Sequence, residues 1–441
     1  MSDNQHSDSY QSNLKAYFLS GSFYSLIIQG LLYIITFGTS ILLARCLGSE
    51  QYGIYSTVLS WISVFSILAV LGYDDLLLKK LPRFSSEVKD GSRFWIGFAL
   101  RRSLFFSTIL VVVLYLITQF SSITHFYNTR HVYLFAVLLI PLFAALHILQ
   151  SSLRAKRHII VGQMGEKTIQ PIFFLVSILL IFFFFEMNVA HVMVGRVLSF
   201  GIAVVFSMYY VAIYIPSSST YKSDSSEINT SQISAYYFLF LSLIYILISR
   251  CDILVLSLFE VPDQMIAYYN AAAKISEVTL IPFVILYTVS TPVFSELSEQ
   301  KDRSNLQAFY TKSTRYGFVF VLALFLGIYI FRSFLLSLFG DDFVQGIPVL
   351  LPLIVAKLLH AFVGPINYLM MMIGLERTVT YASLAGLIVT VVLQILFVNQ
   401  GGTLAVAYAT LVGFVVYEVL LCIQLYRKTG LIPTILGQIK S

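Results

Sequence analysis

Four charged residues fall in otherwise apolar sequence between Tyr236 and Pro292: Arg250, Asp252, Lys274 and Glu277. On insertion scales a single Arg, Lys or Asp at the bilayer centre costs about 2.5–3.5 kcal/mol. Four such groups on one helical hairpin need either mutual pairing or an aqueous cavity. Lys274 and Glu277, three apart, share a helix face, whereas Arg250 and Asp252, two apart, point to different faces. In one reading Asp252 pairs with Lys274 and Arg250 with Glu277, clamping the hairpin. In the other the two cations hold an anionic headgroup in a polar cavity while the carboxylates compete for them. At the rise of a helix, Arg250 and Lys274 lie roughly 12–14 Å from the nearer membrane boundary. Lys357 and His360, one turn apart, offer a second cavity cation with a titratable neighbour, or a lysine paired with Glu418. Arg196 reads as snorkelling outward, and Asp74 and Asp75 as a solvated helix end. Pro141, Pro282 and the Gly364-Pro365 pair interrupt apolar runs; each is a candidate hinge or a packing kink.

The elements that must position these groups are membrane helices. The 441 residues are 58% hydrophobic and only 11% charged, against roughly 25% charged in a soluble domain. Twelve apolar runs are expected, over 18–44, 52–71, 103–119, 132–153, 169–185, 191–214, 236–259, 266–292, 316–333, 347–371, 379–398 and 404–425. Between the sixth and seventh, the Ser-rich polar stretch 216–234 reads as a linker. The segments are then an N-terminal stretch 1–17, a six-helix lobe 18–215, the linker, a second lobe 235–426 and a tail 427–441. Lys and Arg outside the runs divide 21 to 3 between alternate loops, which predicts both termini in the cytoplasm. The formal charge of +6 is therefore a topology signal, and no nucleic-acid partner is expected. Cys46, Cys251 and Cys422 are scattered, with no spacing that points to a metal or redox site, and no cofactor is expected. No loop has room for an extramembrane catalytic domain.

The halves share a weak repeat. Ile41-Leu42-Leu43 followed by Tyr52-Gly53-Ile54-Tyr55 aligns with Ile253-Leu254-Val255 followed by Ile266-Ala267-Tyr268-Tyr269. A six-helix unit repeated in tandem keeps its orientation, so a pseudo-two-fold along the membrane normal is predicted. Arg250, Asp252, Lys274 and Glu277 align with Gly38, Ser40, Ser60 and Ser63, so the charges belong to the second half alone.

The segment Leu42-Leu43-Ala44-Arg45-Cys46-Leu47-Gly48 with Tyr52-Gly53-Ile54-Tyr55 resembles the first-hairpin signature of polysaccharide-exporting flippases, the O-antigen type included. These belong to the multidrug/oligosaccharidyl-lipid/polysaccharide exporter superfamily. Asp252-Ile253-Leu254, Tyr269 to Lys274, Thr291-Pro292 and the Gly- and Ala-rich stretch Gly401 to Thr410 are similar to later motifs of that family; Ala267 stands where a glycine is common. The resemblance implies an all-α integral membrane protein with two six-helix lobes around a charged cavity. It implies transfer of undecaprenyl-diphosphate-linked oligosaccharide, for O-antigen or a related surface polysaccharide, from the cytoplasmic to the outer leaflet of the cell inner membrane. Arg250, Lys274 and Lys357 would contact diphosphate or acidic sugar. Asp252, Glu277, Glu418 or His360 would serve ion pairing or coupling to protons or sodium, and the partners would be membrane lipid and other polysaccharide-assembly proteins. A drug or cation antiporter of the same superfamily is the first rival and would favour acids and aromatics in the cavity. An enzyme would need a constellation at the outer loops, where only scattered carboxylates such as Glu50, Glu260, Asp263, Asp341 and Asp342 occur. A non-transporting scaffold is a third alternative.

Overall fold

The computed structural model describes residues 2–85, 91–120, 130–215, 221, 224–299 and 303–437. All regular elements among them are helices: α1 (Ser2–Val70), α2 (Tyr73–Lys80), α3 (Ser92–Phe120), α4 (Arg130–Ala136), α5 (Leu139–Ala155) and α6 (Val161–Met164). A π turn (Gly165–Ile169) leads into α7 (Gln170–Phe184), then α8 (Val189–Tyr214), α9 (Ser225–Leu258), α10 (Asp263–Val278) and α11 (Ile281–Glu299). The chain ends with α12 (Arg303–Ile330), α13 (Arg332–Ser337), α14 (Ile347–Val363), α15 (Ile366–Met372) and α16 (Glu376–Thr429).

Nine helical stretches among the described residues are long and apolar enough to cross a membrane, against the twelve expected. The difference lies in three places. The first two runs form one helix, α1, broken only at Gly48 (φ 76°, ψ 170°), and the last two form α16, broken at Gly402 (φ 54°, ψ −136°). Both breaks need a positive φ that a residue with a Cβ adopts at a cost. The eighth run is divided into α10 and α11 at Thr279 and Leu280, just before Pro282, whose ring leaves no N–H for the ladder. The Pro282 side chain lies outside the described residues. Pro141 sits in the first turn of α5, after the interruption that separates α4 from α5. Gly364 (φ 86°) ends α14 and Pro365 precedes α15. The linker is helical from Ser225 onward, where Asp224 is extended and Glu227 sits in the first turn of α9, favourable for the N-terminal dipole. The tail docks: Ile435 N–H donates to Phe362 O at 3.2 Å, and Arg315 Nε donates to Ile435 O at 2.9 Å.

The main apolar core runs from Leu43 to Ala407 and draws on both halves. A smaller one gathers Phe294, Tyr310, Leu369 and Leu421. Apolar side chains also cover the outside, with Phe183 and Phe184 about three-quarters exposed at 74% and 75%, as expected where lipid is the solvent.

The halves meet most closely at the Gly48 end of α1. There α1 packs on α9 and α10. Gly53 lies so close to the start of α10 that a Cβ would fall 1.9 Å from Asp263 O. Phe343 stands edge-on to both Tyr52 and Tyr268. Arg45 donates from Nε to Leu338 O at 2.6 Å and from Nη2 to Ser337 O at 3.2 Å, covering carbonyls at the end of α13. Trp61 Nε1 donates to Ser257 Oγ at 3.0 Å.

A cationic chamber between the halves

Behind this seal lies a cavity of about 160 Å³ lined from both halves. α1 supplies Thr36, Thr39, Ser40, Tyr55 and Ser56, α7 supplies Gln170 and Phe174, and α8 supplies Arg196. From the second half come Arg250 of α9 with Asn270 and Lys274 of α10. Lys274 and Asn270 are four apart and therefore point the same way from α10. The serine and threonine hydroxyls of α1 are partly spent on their own helix, Thr39 bonding Ile35 O at 2.6 Å and Ser40 bonding Thr36 O at 2.8 Å. This lets polar side chains sit in an apolar run.

Arg250 and Lys274 thus line one chamber. No ion pair within 4 Å joins Asp252 to Lys274 or Arg250 to Glu277 among the described residues. Arg250 Nε is buried without a hydrogen-bond partner. Glu277 is exposed, one turn farther from the Gly48 end than Lys274. Arg196 corrects the sequence reading. It does not snorkel outward; its Nη1 donates to Tyr55 OH at 2.6 Å and its guanidinium lies 4.8 Å from the Phe174 ring centre, adding a third cation to the chamber. Asn270, only 6% exposed, donates to Ser56 Oγ at 2.7 Å and ties the two halves.

Asp252 points away from the chamber into an uncharged network. It accepts from Tyr269 OH, from Gln394 Nε2 at 2.6 Å and from Thr410 Oγ1 at 2.9 Å. These three donors come from α10 and α16, and Thr410 also lines the cavity that holds Lys357. Sequence reading named none of them as partners of Asp252; Gln394, an amide inside an apolar run, was the available signal.

Lys357 faces a second cavity of about 260 Å³, within the second half alone, together with His360, Tyr245, Thr410 and Tyr417. Its ammonium sits 5.6 Å from the Phe414 ring centre. The expected alternative of a Lys357–Glu418 pair is not formed. Glu418, 4% exposed, instead takes His360, Nδ1 to Oε1 2.6 Å. Lys357 and His360 are therefore neighbours, as their spacing predicts, but they do not join Arg250 and Lys274. At the Gly48 end, burial and the nearby Glu50 raise the Asp263 carboxyl to about 6. No group of three or more His, Cys, Asp or Glu side chains placed to hold a metal occurs among the described residues.

Comparison with known proteins follows the same lines. The family model described as "Polysaccharide biosynthesis protein" matches residues 18–298. Among solved structures, an inward-facing multidrug resistance MATE family transporter of the MOP superfamily superposes with a TM-score of 0.73 at 16% identity, over 90% of this chain and 94% of that one. The lipid II flippase MurJ in an inward closed conformation gives 0.74 at 14% identity, over 90% and 86%. A MOP superfamily transporter from Pyrococcus furiosus, described as having a binding pocket of reversed polarity, gives 0.59 at 16%, over 94% and 95%. At these identities the likeness is one of fold. No curated protein sequence matches the chain.

Proposed function

Because the chain belongs to the polysaccharide biosynthesis protein family, we propose that it is a flippase that carries undecaprenyl-diphosphate-linked oligosaccharide from the cytoplasmic to the outer leaflet. The product serves O-antigen or a related surface polysaccharide. One observation carries this reading: Arg196, Arg250 and Lys274 converge on a single chamber between the halves. Cations in a low-dielectric site offset the cost of taking a diphosphate out of water. In this reading the diphosphate sits among these cations in the chamber. The sugars then extend beyond it and the polyprenyl tail stays in lipid. The same cations disfavour a cationic drug as cargo.

In this proposal the chain crosses the cell inner membrane twelve times in two six-helix lobes, with α1 and α16 each contributing two crossings and α10 with α11 one. Both termini are cytoplasmic, so the sealed Gly48 end faces outward. The halves rock between an inward and an outward opening. The breaks at Pro141, Pro282 and Gly364-Pro365 absorb the bending, and Asp252, Glu277 and the His360–Glu418 pair serve ion pairing or sodium coupling in the second half. Lys357, outside the chamber, is left a secondary contact.

Reconstituted vesicles with purified undecaprenyl-diphosphate oligosaccharide test the reading. Arg250→Ala and Lys274→Ala should each lower flipping at least tenfold at unchanged protein level. Undiminished flipping in both would overturn the substrate role of the chamber.

A further inference from the structure

A second group of titratable side chains is gathered inside the first half, away from the chamber. His147 of α5 places Nδ1 3.7 Å from Asp74 of α2 and Nε2 3.8 Å from Glu166 of the π turn. Its ring stacks on Phe143 with centroids 4.0 Å apart. Asp74 is therefore no solvated helix end. α2 folds back against α5, leaving the Asp74 side chain 16% exposed. The π turn is the kind of local widening that re-aims a side chain and often marks a functional position; here it carries Glu166.

Polar atoms without a hydrogen bond collect at the same place: Nε2 of His147, Nε2 of Gln150, Nε of Arg154 and Oγ of Ser207. Gln150 is 2% exposed and Ser207 fully buried. Gly165 lies between them, since a Cβ there would sit 2.5 Å from Gln150 Nε2 and 2.8 Å from Ser207 Oγ. Buried native polar groups are rarely left unpaired, and these unpaired groups make the interior around His147 polar.

The charged groups facing His147 are Asp74 and Asp75 from α2, Glu166 from the π turn and Arg154 from its own helix. Cations on neighbouring helices are engaged elsewhere. Arg93 donates to Val211, Ala212 and Ile215 carbonyls, Arg101 to Gly97 O, and Arg196 to Tyr55, while Arg102 lies over Phe98. A neutral imidazole has one donor nitrogen and one acceptor nitrogen, so it cannot donate to two carboxylates; only the imidazolium can. The arrangement of one ring nitrogen toward each carboxylate is complementary to the protonated form.

We propose that His147, held between Asp74 and Glu166, is the binding site for the proton that drives or gates transport, remote from the cationic chamber. This rests on the flippase reading for its purpose, though not for the binding itself. α2 links the site to the other half. Lys80, over the Trp95 ring, binds Glu227 of α9 at 2.9 Å and Ser231 at 2.6 Å. Gly72 admits Ala235 O to within 2.1 Å of where a Cβ would stand. With His147 protonated, its charge draws Asp74 of α2 and Glu166 of the π turn onto α5. With it neutral, the attraction to Asp74 is lost, and α2 loosens together with its tie to α9.

The test uses the full chain labelled with 15N-histidine, in which His147→Gln identifies the signal by its loss. The His147 ring should pass from neutral to doubly protonated as the pH is lowered. Its midpoint should fall by about one pH unit in Asp74→Asn and in the milder Glu166→Gln, since each removes a negative charge beside the ring, one unit being a tenfold change in proton affinity. A ring that keeps one neutral tautomer throughout, or a midpoint indifferent to both variants, overturns the site. In vesicles the ratio of flipping with and without a pH gradient should fall to about 1 in Glu166→Gln and His147→Gln; a wild-type ratio in both variants overturns the driving role. Absence of flipping in the wild-type protein itself would count against the flippase reading, while the titration still decides whether the proton binds here.

Discussion

At the residue scale, Arg196, Arg250 and Lys274 meet in one chamber although they come from three different helices. Arg250 and Lys274 could be picked out because cations are rare in apolar runs. Their chamber-mates Arg196, Tyr55 and Asn270 depend on how α1, α8 and α10 are rotated against one another, which local spacing does not encode. Asp252 shows the same limit. Its donors Gln394 and Thr410 lie 142 and 158 positions away, beyond the reach of any hairpin argument. Because Tyr269 and Gln394 are almost wholly buried, removing the carboxylate strands donors with no water to replace it. Each such group costs about 1–3 kcal/mol. Asp252→Ala should therefore lower the apparent melting temperature in detergent clearly more than Tyr269→Phe, which leaves Gln394 and Thr410 still paired. Equal effects would mean that the network contributes little.

At the element scale, the apolar runs themselves were legible, since about twenty apolar residues in a row have few alternatives to a membrane helix. What composition does not convey is that a glycine break inside α1 or α16 leaves one long helix with a sharp corner. The tyrosines that the weak repeat aligns each bond a charged group, Tyr55 accepting from Arg196 and Tyr269 donating to Asp252. The contact of Gly53 with the start of α10 adds a pH response. A carboxyl whose pKa is raised holds its proton more tightly in the packed arrangement than when free. The Asp263 contribution is thus fully present below the ordinary carboxylate range and is lost as pH rises through about 6. Spin labels on the Gly48 and Pro262 turns should report a tight distance at about pH 5 and a broader distribution at about pH 7.5. Asp263→Asn should stay tight at both, and an unchanged wild-type distribution would remove Asp263 from the seal.

At the scale of the whole molecule, membrane character and family were legible, whereas the way the halves close on each other was not. Nothing in the order of residues tells which end of the molecule is sealed. The structure places the close contacts at the Gly48 end, where Asn270 and Ser56 touch across the halves. A disulfide in their place, Ser56→Cys with Asn270→Cys in a background lacking the three native cysteines, should hold that end shut. Oxidised protein should not flip substrate and reduction should restore turnover; flipping through the oxidised form would rule out opening at this end. The consequence of α9 itself is mechanical. It is 34 residues long, about 51 Å at the rise of a helix, and extends past the roughly 30 Å of a hydrocarbon core. Ser257, held by Trp61, acts as a fulcrum, and Glu227 lies near the tip of an arm of about 45 Å. A tilt of about 10° would sweep that tip through roughly 8 Å. Motion too small to register at Arg250 would still unlatch Lys80 from Glu227, so the helix would act as a lever that magnifies small shifts at the chamber.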